Sequence, residues 1–501
     1  MYTTHHNRTL GFSTLELLIA FAVMTLGITA VVMVAFGNQS IAIDTELAQR
    51  GLYIAETKLE EAAVATLNDF DSVSSDGTPV AYNSIFDTQT RVSDISECAK
   101  NITVEASWNR NLRSLNTSLS SVFVNPEEAA ALGTECVDEE PEDDWDNPFT
   151  FESENIGGQS NATALYSENN IIYLTTNPPT ADKKDFFIYE FDESGPTLTE
   201  LSSSNTDSTD SLGLLDVAIG TFGGHSYAFA ASENPLGQLR TFEITDPSLP
   251  IELFVSALPG VAGSFPEGRV VYYYDGRVYV GTRETAGHEF HIFDVSGLPS
   301  IPPIHIGSIE LTHTVRDIAV RGDFAYLATS DNSRELMVID ISNPGSLEHP
   351  DDSGLGFNAS GGDDGTAVFV TGQRVYLGRA KTSSGTSDNF YILEGDAVRD
   401  GAEITDGELG KKDIGLSNNT HTAGIVVRSD LAFLSLDDPT TGLAIYNIQD
   451  PLAIEPPASC SVYNFSENSV GLAMDGRYVF SANRSNAEIR IISDQTVACG
   501  S

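Results

Sequence analysis

A recurring unit of roughly 50 residues, which fills the chain from about residue 160 onward, constrains the fold more than any other feature. In each unit an apolar strand and a short turn lead to a second strand with an aromatic residue, and a polar stretch then leads to a third strand. The clearest copy is VRDIAVRGDFAYLATSDNSRELMVIDISNP, residues 315–344. The second-strand aromatics of the seven units lie 47 to 57 residues apart: Tyr173, Tyr227, Tyr279, Tyr326, Tyr376, Phe433 and Phe480.

Seven units of this length, each with three or four strands, predict a seven-bladed β-propeller over residues 159–501. Stacked blades bury apolar strand faces that a single blade could not bury alone. A β-sandwich array or an irregular solenoid is the alternative architecture. The copies VIDISNP and VYVGT resemble the LVIVD-type repeats of extracellular bacterial propellers, and this resemblance covers roughly residues 160 to 495.

The charge balance excludes one class of partner. The chain has 501 residues, with 72 acidic and 26 basic side chains and a formal net charge of −46. Nucleic-acid binding needs clustered Lys and Arg to contact phosphates, so nucleic acid is excluded as a partner. An acidic surface that keeps an exported protein soluble is the simplest interpretation.

The front of the chain combines a polar leader with a long apolar run. The leader MYTTHHNRTLG carries Arg8 and no acid, and the run that begins at Phe12 reaches Phe36. At about 1.5 Å per residue such a helix could cross a hydrocarbon core of about 30 Å. Glu16 lies inside this run. A carboxylate in such surroundings normally has a partner or a function.

The stretch GFSTLELLIAF resembles the class III signal of type IV prepilins and pseudopilins. The resemblance implies cleavage after Gly11 by a prepilin peptidase and N-methylation of Phe12. It implies that Glu16 pairs with the amino terminus of a neighbouring pilin during assembly. It also implies a single-pass inner-membrane location before assembly, and then an extracellular filament or a periplasm-exposed pseudopilus of a bacterium.

The predicted N-terminal part is α+β and pilin-like, with a long helix and a small β domain. Helical spacing places Leu47, Gly51, Ile54, Lys58 and Ala62 on one face, and LAQRGLYIAETKLEEA resembles minor pilins and pseudopilins. Short alternating runs such as ITVEASWN predict strands after it. The predicted segments are a leader (1–11), a transmembrane or filament-core helix (12–37), its amphipathic continuation (38–70), a β domain (71–137) and an acidic linker (138–158).

The four cysteines form two sequence-local pairs and no zinc-type spacing. An even count in an exported chain favours disulfides, and we expect Cys98–Cys136 and Cys460–Cys499. Four cysteines allow three connectivities, and four reduced, buried thiols are the alternative.

No catalytic or nucleotide-binding motif is present, so the chain is predicted not to be an enzyme. Polar residues recur 12 or 13 positions before five of the aromatics, where each unit would enter its inner strand: Glu267, His313, Asp364, His421 and Glu467. Two histidines among carboxylates could bind a divalent cation. The alternative is that a wet channel mouth simply collects polar residues. No other cofactor is expected, although the acidic segment CVDEEPEDDWDNP could hold calcium.

Together these features predict a minor type IV pilin or pseudopilin, at the tip or in low copy, that displays a propeller. Its role would be adhesion or partner recognition, with a surface glycan or protein as ligand. One alternative is a type II secretion pseudopilin whose propeller selects cargo. Another is a membrane-tethered propeller enzyme, a hydrolase or lyase.

Overall fold

A computed structural model describes residues 24–25, 47–124 and 145–494, with short gaps at 60, 67–72, 74, 76–78, 83–84, 97–98, 111–112, 157–160, 179, 193–196, 207–211, 262–266, 382–387, 402–403, 459, 465 and 485–486. The chain divides into two compact units, Met1–Ala129 and Ala130–Ser501.

The first unit contains a four-stranded antiparallel sheet in which neighbours in the chain are neighbours in space. Its strands are β1 (Val80–Ala81), β2 (Phe86–Ser96), β3 (Ala99–Arg110) and β4 (Arg113–Val124). Alternation along β3 sends Ile102, Val104, Ala106 and Trp108 into the core of this unit.

A helix in the same unit packs on that core. Its described residues are 47–59 and 61–66. Ile54 and Ala55 are buried against the sheet. Gly51 stands so close to Trp108 that an added Cβ would lie 2.8 Å from the indole ring, which explains a glycine on this face. The predicted amphipathic face is therefore the buried one.

The predicted α+β class of the N-terminal part is wrong, because strand dominates the described residues of this unit as it does those of the whole chain. Strands of 11 and 12 residues carry the core, and they are much longer than the short runs that the sequence suggested. Of the helix predicted from Phe12 to Phe70, the structure describes only 24–25, 47–59 and 61–66 as helical.

The predicted inner-membrane location is also corrected. Over the residues that the structure describes, no helix has both the length and the apolar character to cross a membrane. Apart from residues 24–25, the apolar segment 12–37 lies outside those residues.

The second unit is a ring of seven antiparallel blades. The innermost strands of blades 1 to 7 are β6 (Asn161–Glu168), β10 (Leu214–Phe222), β14 (Gly268–Tyr274), β18 (Val315–Arg321), β22 (Gly365–Thr371), β26 (Thr420–Arg428) and β30 (Ser469–Asp475). The second strands are β7 (Ile171–Asn177), β11 (His225–Ser232), β15 (Arg277–Thr282), β19 (Phe324–Thr329), β23 (Arg374–Lys381), β27 (Leu431–Leu436) and β31 (Tyr478–Asn483).

Two further strands complete each blade. The third strands are β8 (Phe186–Asp192), β12 (Leu239–Glu243), β16 (Phe290–Asp294), β20 (Leu336–Asp340), β24 (Phe390–Glu394), β28 (Leu443–Asn447) and β32 (Ile489–Asp494). The outermost strands are β9 (Thr197–Ser204), β13 (Ile251–Ser256), β17 (Ile304–Ile309), β21 (Gly356–Phe357), β25 (Glu408–Lys412), β29 (Val462–Tyr463) and, for blade 7, β5 (Pro148–Glu154). Short helices at Pro350–Ser353 and Gly395–Arg399 lie between strands.

The ring is closed by pairing between the two ends of the second unit. Strand β5 pairs antiparallel with β32, from Pro148 opposite Asp494 to Glu154 opposite Ile489. Each innermost strand also contacts the innermost strand of the next blade, and β30 contacts β6. All seven second-strand aromatics are buried. The predicted β-propeller is confirmed, and it has seven blades.

Turn chemistry keeps the inner hairpins tight. Asn169 and Asn170 connect β6 to β7 with φ of 53° and 62°. Asp275 and Gly276 do the same in blade 3 with φ of 46° and 72°. Two consecutive left-handed residues form the type I′ turn, whose twist matches that of the flanking strands.

A recurring buried side chain ties the outer loop of several blades to the third strand. Glu335, directly before β20, accepts a hydrogen bond from the Ala359 backbone N–H at 2.9 Å. Glu289 accepts one from Leu311 at 2.8 Å. Equivalent acceptors occur at Asp185, Gln238 and Glu488. These bonds satisfy backbone donors where the chain leaves one blade for the next.

Candidate functional site

Every innermost strand carries a β-bulge near its start. The pairing with the second strand skips one residue in each blade, such as Arg269 in β14 and Arg316 in β18. A bulge re-aims the side chain of the extra residue. The seven bulged residues all line one central cavity: Thr163, Leu215, Arg269, Arg316, Thr366, Ala423 and Val470. We call this set the bulge layer.

The cavity has a volume of about 690 Å³ and takes residues from all seven innermost strands. Sites for small molecules commonly measure about 300–1,000 Å³. Three residues further along their strands, Tyr166, Tyr272 and Phe369 line the same cavity. The cavity is therefore large enough for a small molecule, and both charged and aromatic side chains line it.

Arg269 and Arg316 hold guanidinium groups with unused donors at the bulge layer. The nearest carboxylate to Arg269 is Glu267, with Nη1 and Oε1 4.0 Å apart, and Arg269 makes no hydrogen bond to any described residue. Arg316 donates from Nη2 to Asp364, while its buried Nε has no hydrogen-bond partner among the residues that the structure describes. A guanidinium offers five N–H donors, so both side chains keep donors for a further acceptor.

Positive charge is concentrated around this layer. Arg484, which follows β31, also lines the cavity. Burial lowers the pKa of Arg269, and repulsion from Arg316 lowers it further, with a smaller contribution from Arg484. Burial also lowers the pKa of His421; Asp437 opposes this shift, and Arg316, Arg484 and Arg269 reinforce it. Three arginines therefore act on one another across the channel.

Carboxylates near the bulge layer are paired with neighbouring side chains. Asp437 accepts hydrogen bonds from Arg484 Nη1 at 3.2 Å and from the Asn468 side-chain amide, and His421 Nδ1 lies 3.6 Å from its carboxylate. In blade 3, Arg283 Nε lies 3.3 Å from Glu267 Oε1. These carboxylates are thus engaged by neighbouring side chains.

The five residues predicted as a possible metal ring do not share one structural position. Glu267, Asp364 and His421 stand two residues before the bulge, whereas His313 and Glu467 stand three residues before it. Of the five, only His421 lines the cavity.

Each of the others has a different partner. His313 Nε2 lies 3.7 Å from Asp331, and Asp364 pairs with Arg316. Glu467 pairs with Arg490 of β32 at 2.7 Å, which turns it toward the outer part of blade 7. Among the described residues, no group of three His, Cys, Asp or Glu side chains could hold a metal ion. The acidic segment up to residue 144 lies outside those residues.

Two carboxylates that line the cavity, Asp216 and Asp317, were not predicted from the sequence. Asp216 accepts from the backbone N–H of Val271 in the next blade at 2.8 Å, and Asp317 accepts from Val368 at 2.8 Å. Burial raises the pKa of each to about 7. Both join adjacent blades. The shared pattern, Asp followed by Val or Ile and Ala in LLDVAIG and VRDIAVR, was the available signal.

The processing and assembly residues Gly11, Phe12 and Glu16 lie outside the described part of the chain. Cys460 is disulfide-bonded. Cys98, Cys136 and Cys499 lie outside the described residues, so the two expected pairings stay predictions.

Residues 314–349 match the family model of the LVIVD repeat. The match covers the first three strands of blade 4, and it confirms the predicted resemblance for that unit. No curated protein matches the chain in sequence. One similar solved structure is a periplasmic gluconolactonase of Pseudomonas aeruginosa, with 9% identity over 66% of this chain and 91% of that chain and a TM-score of 0.47. Another is Sqt1 of Saccharomyces cerevisiae, with 8% identity over 70% of this chain and 99% of that chain and a TM-score of 0.42.

The prediction that the chain is not an enzyme is corrected by the likeness to a gluconolactonase. The prediction rested on the absence of short sequence motifs. A propeller site is assembled from single residues of different blades, so such motifs are not needed. At these identities and TM-scores neither solved structure assigns an activity to this chain. The propeller assignment rests on the strand topology described above.

Proposed function

We propose that this chain is a recognition protein whose propeller binds a small ligand in its central channel. The observation that carries this proposal is the bulge layer, where Arg269 and Arg316 present unused hydrogen-bond donors to a cavity of about 690 Å³. A concave site with a few convergent polar groups is the usual form of a ligand-binding site. Adhesion or partner recognition is the role that such a site serves on a displayed domain.

We further propose that the propeller is displayed by a minor pilin or pseudopilin segment. The pattern Gly11, Phe12 and Glu16 supports this proposal from the sequence. Closure of the ring supports it from the fold, because β5 and β32 bring the beginning and the end of the second unit into the same blade. A propeller closed in this way is a self-contained module that one upstream segment can carry.

The experiment that tests display is mass spectrometry of the mature protein together with immunogold labelling of sheared filaments. We expect a chain that begins at a methylated Phe12 and gold label on filaments. Glu16→Ala should reduce labelling, whereas Glu56→Ala, in the described helix of the first unit, should not. An unmodified Met1, or equal labelling for the Glu16 variant and wild type, would refute the pilin-like role.

A further inference from the structure

We infer that the bulge layer binds an oxyanion group of a small ligand, a carboxylate, sulfate or phosphate, between Arg269, Arg316 and Arg484. This inference rests on the proposed recognition role and names the ligand chemistry for it. The three guanidinium groups come from blades 3, 4 and 7 and line one cavity. The site therefore exists only in the closed ring.

Arg269 and Arg316 keep hydrogen-bond donors that the described residues do not use. Arg269 donates to no described residue, and its contact with Glu267 is a 4.0 Å ion pair. Arg316 donates from Nη2 to Asp364, and its buried Nε has no partner in the described part of the chain. Buried donors normally find an acceptor. The flat fork of a guanidinium matches the oxygens of a carboxylate or phosphate.

The charges around the bulge layer also favour an anion. The carboxylates near these arginines are already engaged. Asp437 accepts hydrogen bonds from Arg484 and Asn468, and Asp364 accepts from one edge of Arg316. Arg269 and Arg316 are about one-third exposed, with side-chain values of 31% and 30%, so a ligand can reach them. An anion between the arginines would relieve their mutual repulsion.

Asp216 and Asp317 are the two carboxylates in the next layer, and they could repel an anion. The oxygens of Asp317 accept backbone hydrogen bonds from Ile318 and Val368, both at 2.8 Å. Asp216 bonds in the same way with Val217 and Val271. These carboxylates are therefore turned to the strands that they join.

The test is isothermal titration calorimetry on the full chain with four probes: citrate, glucuronate, sulfate and inorganic phosphate. Arg269→Gln and Arg316→Gln are the test variants, and Arg477→Gln, in the exposed turn between β30 and β31, is the matched control. Hydrogen bonds to charged groups predict that each test variant binds about tenfold to a hundredfold more weakly. The control should bind like wild type.

The choice of probe identifies the source of the anion, because citrate and glucuronate carry carboxylates only. Binding of any probe that is lost in both test variants supports the inference. No binding by any probe, or equal binding in wild type and Arg269→Gln, would overturn it. Arg269→Gln breaks no hydrogen bond to a described residue, so its melting temperature should match that of wild type and exclude misfolding. Calorimetry does not depend on filaments, so failure here with a mature Phe12 terminus leaves the display proposal standing.

Discussion

Replacing Glu335 by Ala should destabilise the propeller more than loss of any surface ion pair. Glu335 Oε1 lies 2.7 Å from Arg379 Nη2, and both side chains have no exposed surface. Arg379 comes from blade 5 and Glu335 from blade 4, so the pair joins two blades. The other carboxylate oxygen of Glu335 accepts a hydrogen bond from the Ala359 backbone N–H at 2.9 Å.

The expected loss follows from these two contacts. Without Glu335 the Arg379 guanidinium stays buried with only the Ser360, Asp388 and Asp363 carbonyls and the Tyr391 hydroxyl as acceptors, at 3.2 to 3.4 Å. Removing one partner of a buried ion pair costs about 3–5 kcal/mol. The orphaned backbone donor alone accounts for about 1–3 kcal/mol of this loss.

The assay is urea unfolding of the full chain followed by the fluorescence of Trp145, which is fully buried in the propeller. Trp108→Phe removes the second tryptophan, which reports on the first unit. The free energy of unfolding follows from the midpoint and slope of the Trp145 transition.

The matched control is Asp396→Ala, because Asp396 pairs with Arg399 at i and i+3 on the surface, with exposed fractions of 69% and 25%. It should cost at most about 0.5 kcal/mol. Replacing both buried partners, by Glu335→Leu with Arg379→Met, should recover much of the loss. A loss below about 1 kcal/mol for Glu335→Ala would refute the reasoning. So would a loss for Asp396→Ala that equals the loss for Glu335→Ala.

Three further predictions use the same unfolding assay or its calorimetric equivalent. Trp145→Ala should lower the melting temperature through a loss of about 3–5 kcal/mol, because the indole packs edge-on against Phe433 with ring centroids 5.0 Å apart; a loss under about 1 kcal/mol would contradict this. Asp317→Ala should cost about 2 kcal/mol, because the Val368 backbone N–H loses its acceptor in the next blade, and Asp317→Asn should cost less. Burial lowers the pKa of His291 to about 3, below its unfolded value, so protonation favours the unfolded chain and stability falls as pH drops below about 6.5. At pH 5 wild type should have lost about 2 kcal/mol of its free energy of unfolding in this way, and His291→Gln should not show this loss. Identical pH profiles for wild type and variant would refute the prediction.

The propeller was predictable because each blade repeats one packing requirement. Tyr279 and Tyr326 are buried at equivalent places in β15 and β19, and a periodic aromatic is visible without knowledge of the tertiary structure. Strand β5 was not predicted, since its sequence PFTFESE falls within the segment assigned to an acidic linker. Its partner β32 lies more than 300 residues away. No local pattern encodes such a pairing.

The site was only partly predictable, because the spacing from the aromatics led to residues that precede the β-bulge and not to the bulge itself. Counting back 12 residues from the aromatic reaches Glu267 and His421, but a count of 13 was needed to reach His313 and Glu467. This difference of one residue matters, because successive side chains of a strand point to opposite faces of the sheet. Arg269 occupies the bulge itself, a position that the count did not consider.

The chain as a whole is strongly acidic, whereas arginines line its central cavity. This uneven distribution of charge makes an anion site compatible with the acidic composition. The net charge is −46, yet Arg269, Arg316 and Arg484 line one cavity. At physiological salt the repulsion from surface carboxylates fades over a Debye length of about 8 Å, whereas partly buried charges are screened much less. The arginines therefore act on an anion once it has entered the channel. The prediction that nucleic acid is not a partner rests on the lack of an extended basic surface, whereas one small oxyanion held inside the ring needs no such surface.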